Sequence, residues 1–596
     1  MKYIKNEKGY ALLLTLVLLI LFSILGTSLI VMSSNGTAKN EVRQDITQSS
    51  DLSQKGIDLV TTQVNSELTA FLGANGKPRT EFIFQLERIL DSYRCIGGTA
   101  TLPVNNETGT YKACIESYVN TIDKDNNPNP LKKLVTFKSV GKAGNSNKTL
   151  TSKIEIGAAT APEALRYAIG TNMDTTDGTS PGEGNLLMHG GVDIKGDIKV
   201  DGDIVTSTNG YAYLGGDKWI PSVAPSAIPL DGTPSARLFL GKKAYAMNNS
   251  ITYSSHITRS NFTGNSNYGE KSKIEDLFRT GFAPTLVSRE PVQNPIAINA
   301  QKSSFEYYSN AAGVSLVNAG SNLTISGQNL PTSKVYFHHD YINRVCSWWS
   351  CTDQRVNGES ETYTLSGINS FKQASTKGSV NLINTNTTFK TGMYVNGNLD
   401  IGNGSTSYDV TKYSDVTLDG PIYVNGNLTI QGADLKSNAL IYVNGTVNIL
   451  HSRINGKSLA SSKTGSLIIF SKGNIKISNN SVNYDDPSYI KGFFYSEQDF
   501  EMFGVGSNMK IEGGISARRI VLNAIRGRAK DYSFSGATRI SNTDYFEGVA
   551  VQNKPETQSR LQVIYDLDII STYSDLKQQE PVIYAVDTPT EKDRGY

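Results

Sequence analysis

An excess of charge of one sign is what this chain most lacks: 57 lysines and arginines stand against 55 acids, a net of +2. So even a balance gives no long-range field to collect phosphates, and nucleic acid is not expected as a partner. Cysteine is scarce at four residues and histidine at five. His338, His339 and Asp340 lie upstream of Cys346 and Cys351 without matching a standard zinc spacing, so no metal and no cofactor is expected. No acid pair stands out either. Asp485, Asp486, Glu497, Asp499 and Glu501, with Arg518 and Arg519 later, read as solvent-facing strand charge, and no catalytic residue is assigned. Calcium repeats of the GGxGxDxUx type are absent, which leaves Asp201 and Asp203 as a weak cation pair at most. No LPxTG-like signal precedes the terminal EKDRGY, so attachment to a cell wall by sortase is not expected.

What the chain does have is one long apolar run. Residues 10–32, YALLLTLVLLILFSILGTSLIVM, carry no charge, and none occurs between Lys8 and Lys39. As a helix this run rises about 35 Å, enough to cross a hydrocarbon core of about 30 Å. Lys2, Lys5 and Lys8 against Glu7 hold the short end in the cytoplasm and send the remainder outward. Three readings compete. A secretory signal has a shorter apolar stretch and a small-residue cleavage site, and the SSNGTAK that follows is a poor one. An uncut membrane anchor needs only the span. The third reading is a prepilin, in which a basic leader ending at Gly9 is removed and Tyr10 becomes the first mature residue.

The apolar pattern continues past the membrane. Residues 40–72 lack proline and contain a single glycine, Gly56. Val42, Ile46, Leu52, Ile57, Val60, Val64, Leu68 and Phe71 suit one face of a continuing helix, which Gly73, Gly76 and Pro78 stop. The basic leader, Gly9 and this extended helix together resemble the PilX-like minor pilins of type IV pilus systems. The resemblance implies cleavage by a prepilin peptidase, methylation at Tyr10, and other pilins as partners. It also implies passage from the cell membrane to an extracellular pilus or the cell surface. Major pilins carry Glu as the fifth mature residue, where it is taken to neutralise a neighbour's terminal amine; Leu14 stands there in this chain. A carboxylate in the bilayer costs about 2.5–3.5 kcal/mol unless paired, so a subunit with no predecessor gains nothing from one. The pseudopilin that caps the tip of type II secretion systems similarly lacks this Glu and carries an oversized head. A tip or minor position is therefore expected.

Residues 75–160 read as a small α+β head: a short helix over 80–93, with Phe82, Phe84, Leu86, Ile89 and Leu90 apolar, then a strand at 111–122. A hairpin follows, 134–144 with 148–157, turning at Asn145, Ser146 and Asn147. The cysteines fall in two local pairs, Cys95 with Cys114 and Cys346 with Cys351. Four cysteines allow three connectivities, and outside the membrane the two local disulfides are favoured. Closing the first loop would stabilise by about 3 kcal/mol on the chain-entropy model. The second would close CSWWSC around Trp348 and Trp349, a candidate contact loop for a surface or glycan ligand. A buried tryptophan pair is the competing reading.

With 596 residues, 54 glycines and 30 tyrosines, the chain is too long for one core and rich in turn formers. MYVNGNLDI (393–401), IYVNGNLTI (422–430) and IYVNGTVNI (441–449) repeat a strand, a polar corner and a strand. GGVDIKGDIKVDGDIV (190–205), IIFSKGNIKI (468–477), GFFYSEQDFEM (492–502) and GGISARRIVL (513–522) are degenerate forms. Asn-Gly is also a hairpin signal, but the apolar return segments favour a right-handed parallel β-helix over a meander. The expected fold class is α+β: a long pilin-type helix with a small antiparallel sheet, then a large β-rich, parallel β-helix-like domain. The expected divisions are a leader at 1–9, a transmembrane and pilin helix at 10–74, and the head at 75–160. A β-helix-like domain follows at 161–540, with an irregular insertion over 216–390, and a C-terminal cap at 541–596.

Overall fold

The computed structural model describes residues 7–73, 76–95, 104–106, 109–122, 128–158, 162–173, 183–213, 216–248, 251–288, 298, 302, 314–460, 463–481, 485–528, 546–580, 582–583, 585–587 and 589–595. One helix, Glu7–Leu72, runs through both the apolar run and the amphipathic stretch. No proline interrupts it, although its weakest stretch is Ser33-Ser34-Asn35-Gly36-Thr37.

Its lower half lies on a five-stranded antiparallel sheet. In order the strands are Val104–Asn106, Gly109–Ile122, Pro128–Ala143, Ser146–Gly157 and Thr590–Gly595. Ile57, Val60, Val64, Leu68 and Leu72 are buried in this core. Val42 and Ile46, assigned to the same face, are exposed: the sheet ends at this level, where Asn145 N–H donates to Asp45 Oδ2 at 3.3 Å. The helix Arg79–Ser92 adds Phe82, Leu86, Ile89 and Leu90. Phe84 falls off that 3.6-residue stripe and is exposed. The hairpin closes on Gly144 and Asn145, one residue early, because Gly144 adopts the positive φ (+53°) that the first loop position requires. Small residues let helix and sheet approach closely. Gly141 N–H donates to Ser53 Oγ at 2.8 Å, and a Cβ on Gly141 would sit 2.6 Å from Ser53 N.

The fifth strand of this sheet comes from the far end of the chain. Residues 163–577 are thus inserted between two neighbouring strands of the head, and Lys77–Pro78 pairs likewise with Val582–Ile583. Among the described residues the inserted part forms a 28-stranded sheet whose rungs pair mostly in parallel, wound around one continuous apolar core.

Each position of the YVNGN motif has a distinct task in the stack. Tyr394, Tyr423 and Tyr442 are register partners, and the first two rings stack with centroids 5.9 Å apart. Val395, Val424 and Val443 fill the core. The first Asn forms a ladder: Asn425 Nδ2 donates to Asn396 Oδ1 at 2.9 Å and Asn444 Nδ2 to Asn425 Oδ1 at 3.1 Å. The second accepts the next coil's backbone, Asn398 Oδ1 from Asn427 N–H and Asn427 Oδ1 from Thr446 N–H, both at 2.9 Å. Between them, a Cβ on Gly426 or Gly445 would lie 2.7 Å from the carbonyl of the glycine one coil below. Neither Asn425 nor Gly426 has the positive φ that a two-residue type I′ hairpin requires, so this Asn-Gly is a solenoid corner.

The order of coils in space is not their order in sequence. One end of the ladder is Ser315–Asn318; coils then follow up to Met509–Ala524. The next neighbours come from the start of the insert, Ile169–Thr171 on Ile515, Ser516 and Ala517, and Asn185–Gly190 on residues 519–524. From there the stack continues through Ile198–Val200 and Arg237–Leu240 to Thr285–Ser288. The chain therefore enters and leaves at the middle of its own stack. Ile298, on the connection between the two ends, is buried against the tyrosine column.

Two expectations change accordingly. Residues 216–390 are not an irregular insertion, because they carry coils at both ends of the stack, among them Ser226–Ile228, Ala244–Met247, Thr362–Thr376 and Ser379–Phe389. They keep the inward apolar positions (Leu238, Phe337, Leu365, Phe371) but not the Asn-Gly corners that make the repeat legible. The segment expected as a terminal cap is central. Leu561–Tyr565 lies between the strand Met509–Ala524 and Asp193–Lys195, and the helix Ile569–Lys577 packs Ile569, Tyr573 and Leu576 onto the tyrosine column.

Candidate functional sites

The long helix divides into two chemically different halves. From Leu12 to Met32 its large apolar side chains are exposed, Leu14 among them. The hydroxyls of Thr15, Ser23 and Thr27 turn back to the carbonyls of Leu12, Leu19 and Ser23 at 2.8–2.9 Å, so these groups need no water. This half is long and apolar enough to cross a bilayer. Gly9 and Tyr10 lie in the first turns of the same helix. The other half is packed onto the head's antiparallel sheet through Ile57, Val60, Val64, Leu68 and Leu72.

The second site is a hairpin at the Ser315 end of the stack. Strands Asn329–Cys346 and Cys351–Gly358 run antiparallel from His339 opposite Gly358 to Cys346 opposite Cys351. The Cys346–Cys351 disulfide closes the tip, and the other pair is joined as Cys95–Cys114. Trp348 and Trp349 occupy the turn at 98% and 94% exposure. Ile342 and Val345 are also exposed below them. The flanking charges are paired, Arg355 with Asp340 at 2.7 Å and Arg344 with Asp353 at 3.8 Å. His338 is 3.2 Å from Asp340, but among the described residues no group of three or more His, Cys, Asp or Glu is placed to hold a metal.

The acidic residues weighed in the sequence are mostly tied to cations on adjacent coils. Asp499 pairs with Arg518 at 3.1 Å and Arg519 at 3.3 Å, and Asp485 with Arg560 at 2.7 Å. Arg519 also reaches Glu183, an ion pair across the junction of the two solenoid segments. Asp201 is 3.0 Å from Lys199, and Asp203 accepts Lys243 N–H at 2.9 Å; burial raises both carboxyls above their usual range.

A third site has no signal in the sequence. At that junction five hydrogen bonds form one directed chain. Tyr268 O–H donates to His256 Nδ1, His256 Nε2–H to His189 Nε2, and His189 Nδ1–H to Asn523 Oδ1, each at 2.7 Å. Asn523 Nδ2 then donates to Tyr253 Oη at 2.8 Å, and Tyr253 O–H to Glu501 Oε1 at 2.5 Å. Asn523 Oδ1 can only accept, so His189 Nδ1 carries a proton; burial keeps both rings neutral, and the remaining directions and each tautomer then follow. Burial pushes His189 down to about 4 and His256 to about 2. The chain ends at a cavity of about 530 Å³ walled by Tyr211, Tyr213, Tyr253, Phe503 and Phe546, with Lys476 beside Glu501. Lone histidines and tyrosines in strands carry no periodic mark, and the residues meet only because sequence-distant coils are adjacent.

No family model matches the chain, and no curated protein matches it. Among solved structures the chain is similar to the competence-associated pilin ComZ from Thermus thermophilus. The match has 12% identity and a TM-score of 0.23, over 92% of this chain and 97% of that one. A score that low carries no argument, so fold and site stand on this chain's own geometry: an apolar N-terminal helix able to anchor in a membrane, continuing into a small antiparallel sheet that carries a large β-rich domain.

Proposed function

We propose that this chain is a minor subunit of a type IV pilus or related filament, set at or near its tip, with the solenoid as a displayed head for assembly priming or adhesion. The observation that carries the reading is the single helix Glu7–Leu72, bare and apolar over one half and built into an antiparallel sheet over the other. A simple anchor needs no rigid continuation from bilayer into head, whereas a subunit that packs by its helix into a fibre does. Leu14 in place of a carboxylate suits a subunit with no predecessor to pair with. The Trp348–Trp349 hairpin serves as a contact loop, and the head acts by binding rather than catalysis.

N-terminal sequencing of the mature protein tests the reading. A start at N-methylated Tyr10 is expected; an intact Met1 reduces the protein to a surface adhesin anchored outside any filament. Immunogold labelling is expected at filament ends, and Leu14→Glu is expected to move label into the shaft. Even labelling of wild-type fibres refutes the tip position. Purified protein is expected to leave glycans uncut, and release of new reducing ends would overturn the non-catalytic head.

A further inference from the structure

We propose that the cavity at the junction of the two solenoid segments is a binding site for a neutral saccharide. Its biological use in adhesion rests on the displayed-head reading above; the binding does not.

The walls come from five separate parts of the chain, around Tyr211, Tyr253, Lys476, Phe503 and Phe546. Tyr213, 72% exposed, stands on the strand Asn209–Tyr213; Phe503 and Glu501 lie on Ser488–Gly504; Phe546 closes the far side. Lys476 Nζ is 3.4 Å from Glu501 Oε2 and 5.2 Å from the Phe503 ring centroid. The cavity therefore offers aromatic side chains together with a charged donor and a charged acceptor side by side, and Ser478, Asn479 and Ser507 add further polar groups. A sugar ring has the matching surfaces, C–H groups on its faces and adjacent hydroxyls along its edge.

Charge narrows the choice. The Glu501–Lys476 pair is locally neutral, so an anion drawn to Lys476 is repelled by Glu501 and a cation drawn to Glu501 is repelled by Lys476, while a purely apolar ligand would strip water from both without replacing its hydrogen bonds. A neutral polyol ring avoids all three penalties. Glu501 is also held in place before any ligand arrives, since Tyr253 O–H fixes one carboxylate oxygen from behind. Tyr253 is itself stacked on Tyr211, with centroids 3.6 Å apart and planes 5° from parallel. A site whose polar groups are already oriented loses less entropy on binding.

The test uses the full-length protein in a non-glycosidic detergent. Maltotriose, cellotriose and N,N′,N″-triacetylchitotriose serve as probes, with a sulfated heparin tetrasaccharide as anionic comparison, read by saturation-transfer NMR and calorimetric titration. Saturable binding of at least one neutral probe is expected, with Tyr213→Ala and Phe503→Ala each weakening it about tenfold. Phe84→Ala, on the exposed side of the helix Arg79–Ser92 in the head, is expected to change nothing. Tyr213 is exposed, so its variant keeps the test valid even if Phe503→Ala fails to fold. The proposal is overturned if no neutral probe saturates, if Tyr213→Ala binds as the wild type does, or if the sulfated probe binds more tightly. Saturable neutral binding by a protein whose Met1 is retained in cells would uphold the site and remove only the filament placement.

Discussion

His189 and His256 face each other across 2.7 Å with both rings buried, and this contact ties stability to pH. Burial dominates both depressions; for His256 the neighbouring His189, Arg259 and Arg519 add to it. Unfolded, each imidazole titrates near 6.5, so the unfolded chain takes up protons first. Stability is full above about 6.5 and falls as pH drops from there toward about 4, by about 1 kcal/mol per pH unit for each ring. Denaturant titrations at pH 7 and pH 5 should show the loss. His256→Gln, whose amide keeps a donor toward His189 and an acceptor toward Tyr268, should remove about half of it. Tyr442 is a second such point: its hydroxyl donates to the fully buried Glu580 at 2.7 Å. Tyr442→Phe should cost about 1–3 kcal/mol in unfolding free energy, because Glu580 loses a donor it cannot replace with water. The tyrosine was legible as a repeat position. Its acidic partner was not, since Glu580 follows 138 residues later.

At the scale of elements, the corner glycines decide between a hairpin and a coil. Their φ values are ordinary for any residue, so conformational freedom is not why glycine stands there. Close approach of the coil below is the reason. Gly445→Ala should destabilise by about 1–3 kcal/mol, since the new Cβ would meet the Asn427 side chain and the Gly426 carbonyl. Gly548→Ala, with nothing within 4 Å of its Cβ position, should be near neutral; thermal melts of the two variants compare them directly. The strand–corner–strand units and the helix were readable from spacing. The hairpin turn near residue 145 was placed one residue late, because Gly144, not the asparagines, takes the left-handed conformation.

For the whole molecule, the insertion of a solenoid between adjacent strands of a small sheet has two consequences. Terminating the chain after Asp587 removes Thr590–Gly595 and uncovers the edge of Ser146–Gly157. Hydrogen exchange should then rise along that strand while the solenoid's protection stays unchanged. The second consequence concerns folding order. Rungs around Tyr394, Tyr423 and Tyr442 close loops of 29 and 19 residues, whereas Asn172 meets Ser516 across 344. Loop-closure entropy and contact order place the distant pairing later. Pulse-labelled exchange should show the strands Met393–Val395, Ser414–Val424 and Ala433–Val443 protected before Ile169–Thr171 and Asn185–Gly190.

By itself the sequence determined the parts: a continuous run without charge or proline becomes one helix, and apolar alternation with Asn-Gly corners becomes parallel coils, because both patterns act over a few neighbouring residues. Tertiary structure alone decided which coil lies on which, that the strand Thr590–Gly595 completes the sheet of the N-terminal head, and that His189, His256, Tyr253 and Glu501 line up at a cavity. Those choices depend on pairings between segments hundreds of residues apart, where any strand of the right hand and polarity offers the same hydrogen bonds, and only the packing of side chains between neighbouring rungs selects one.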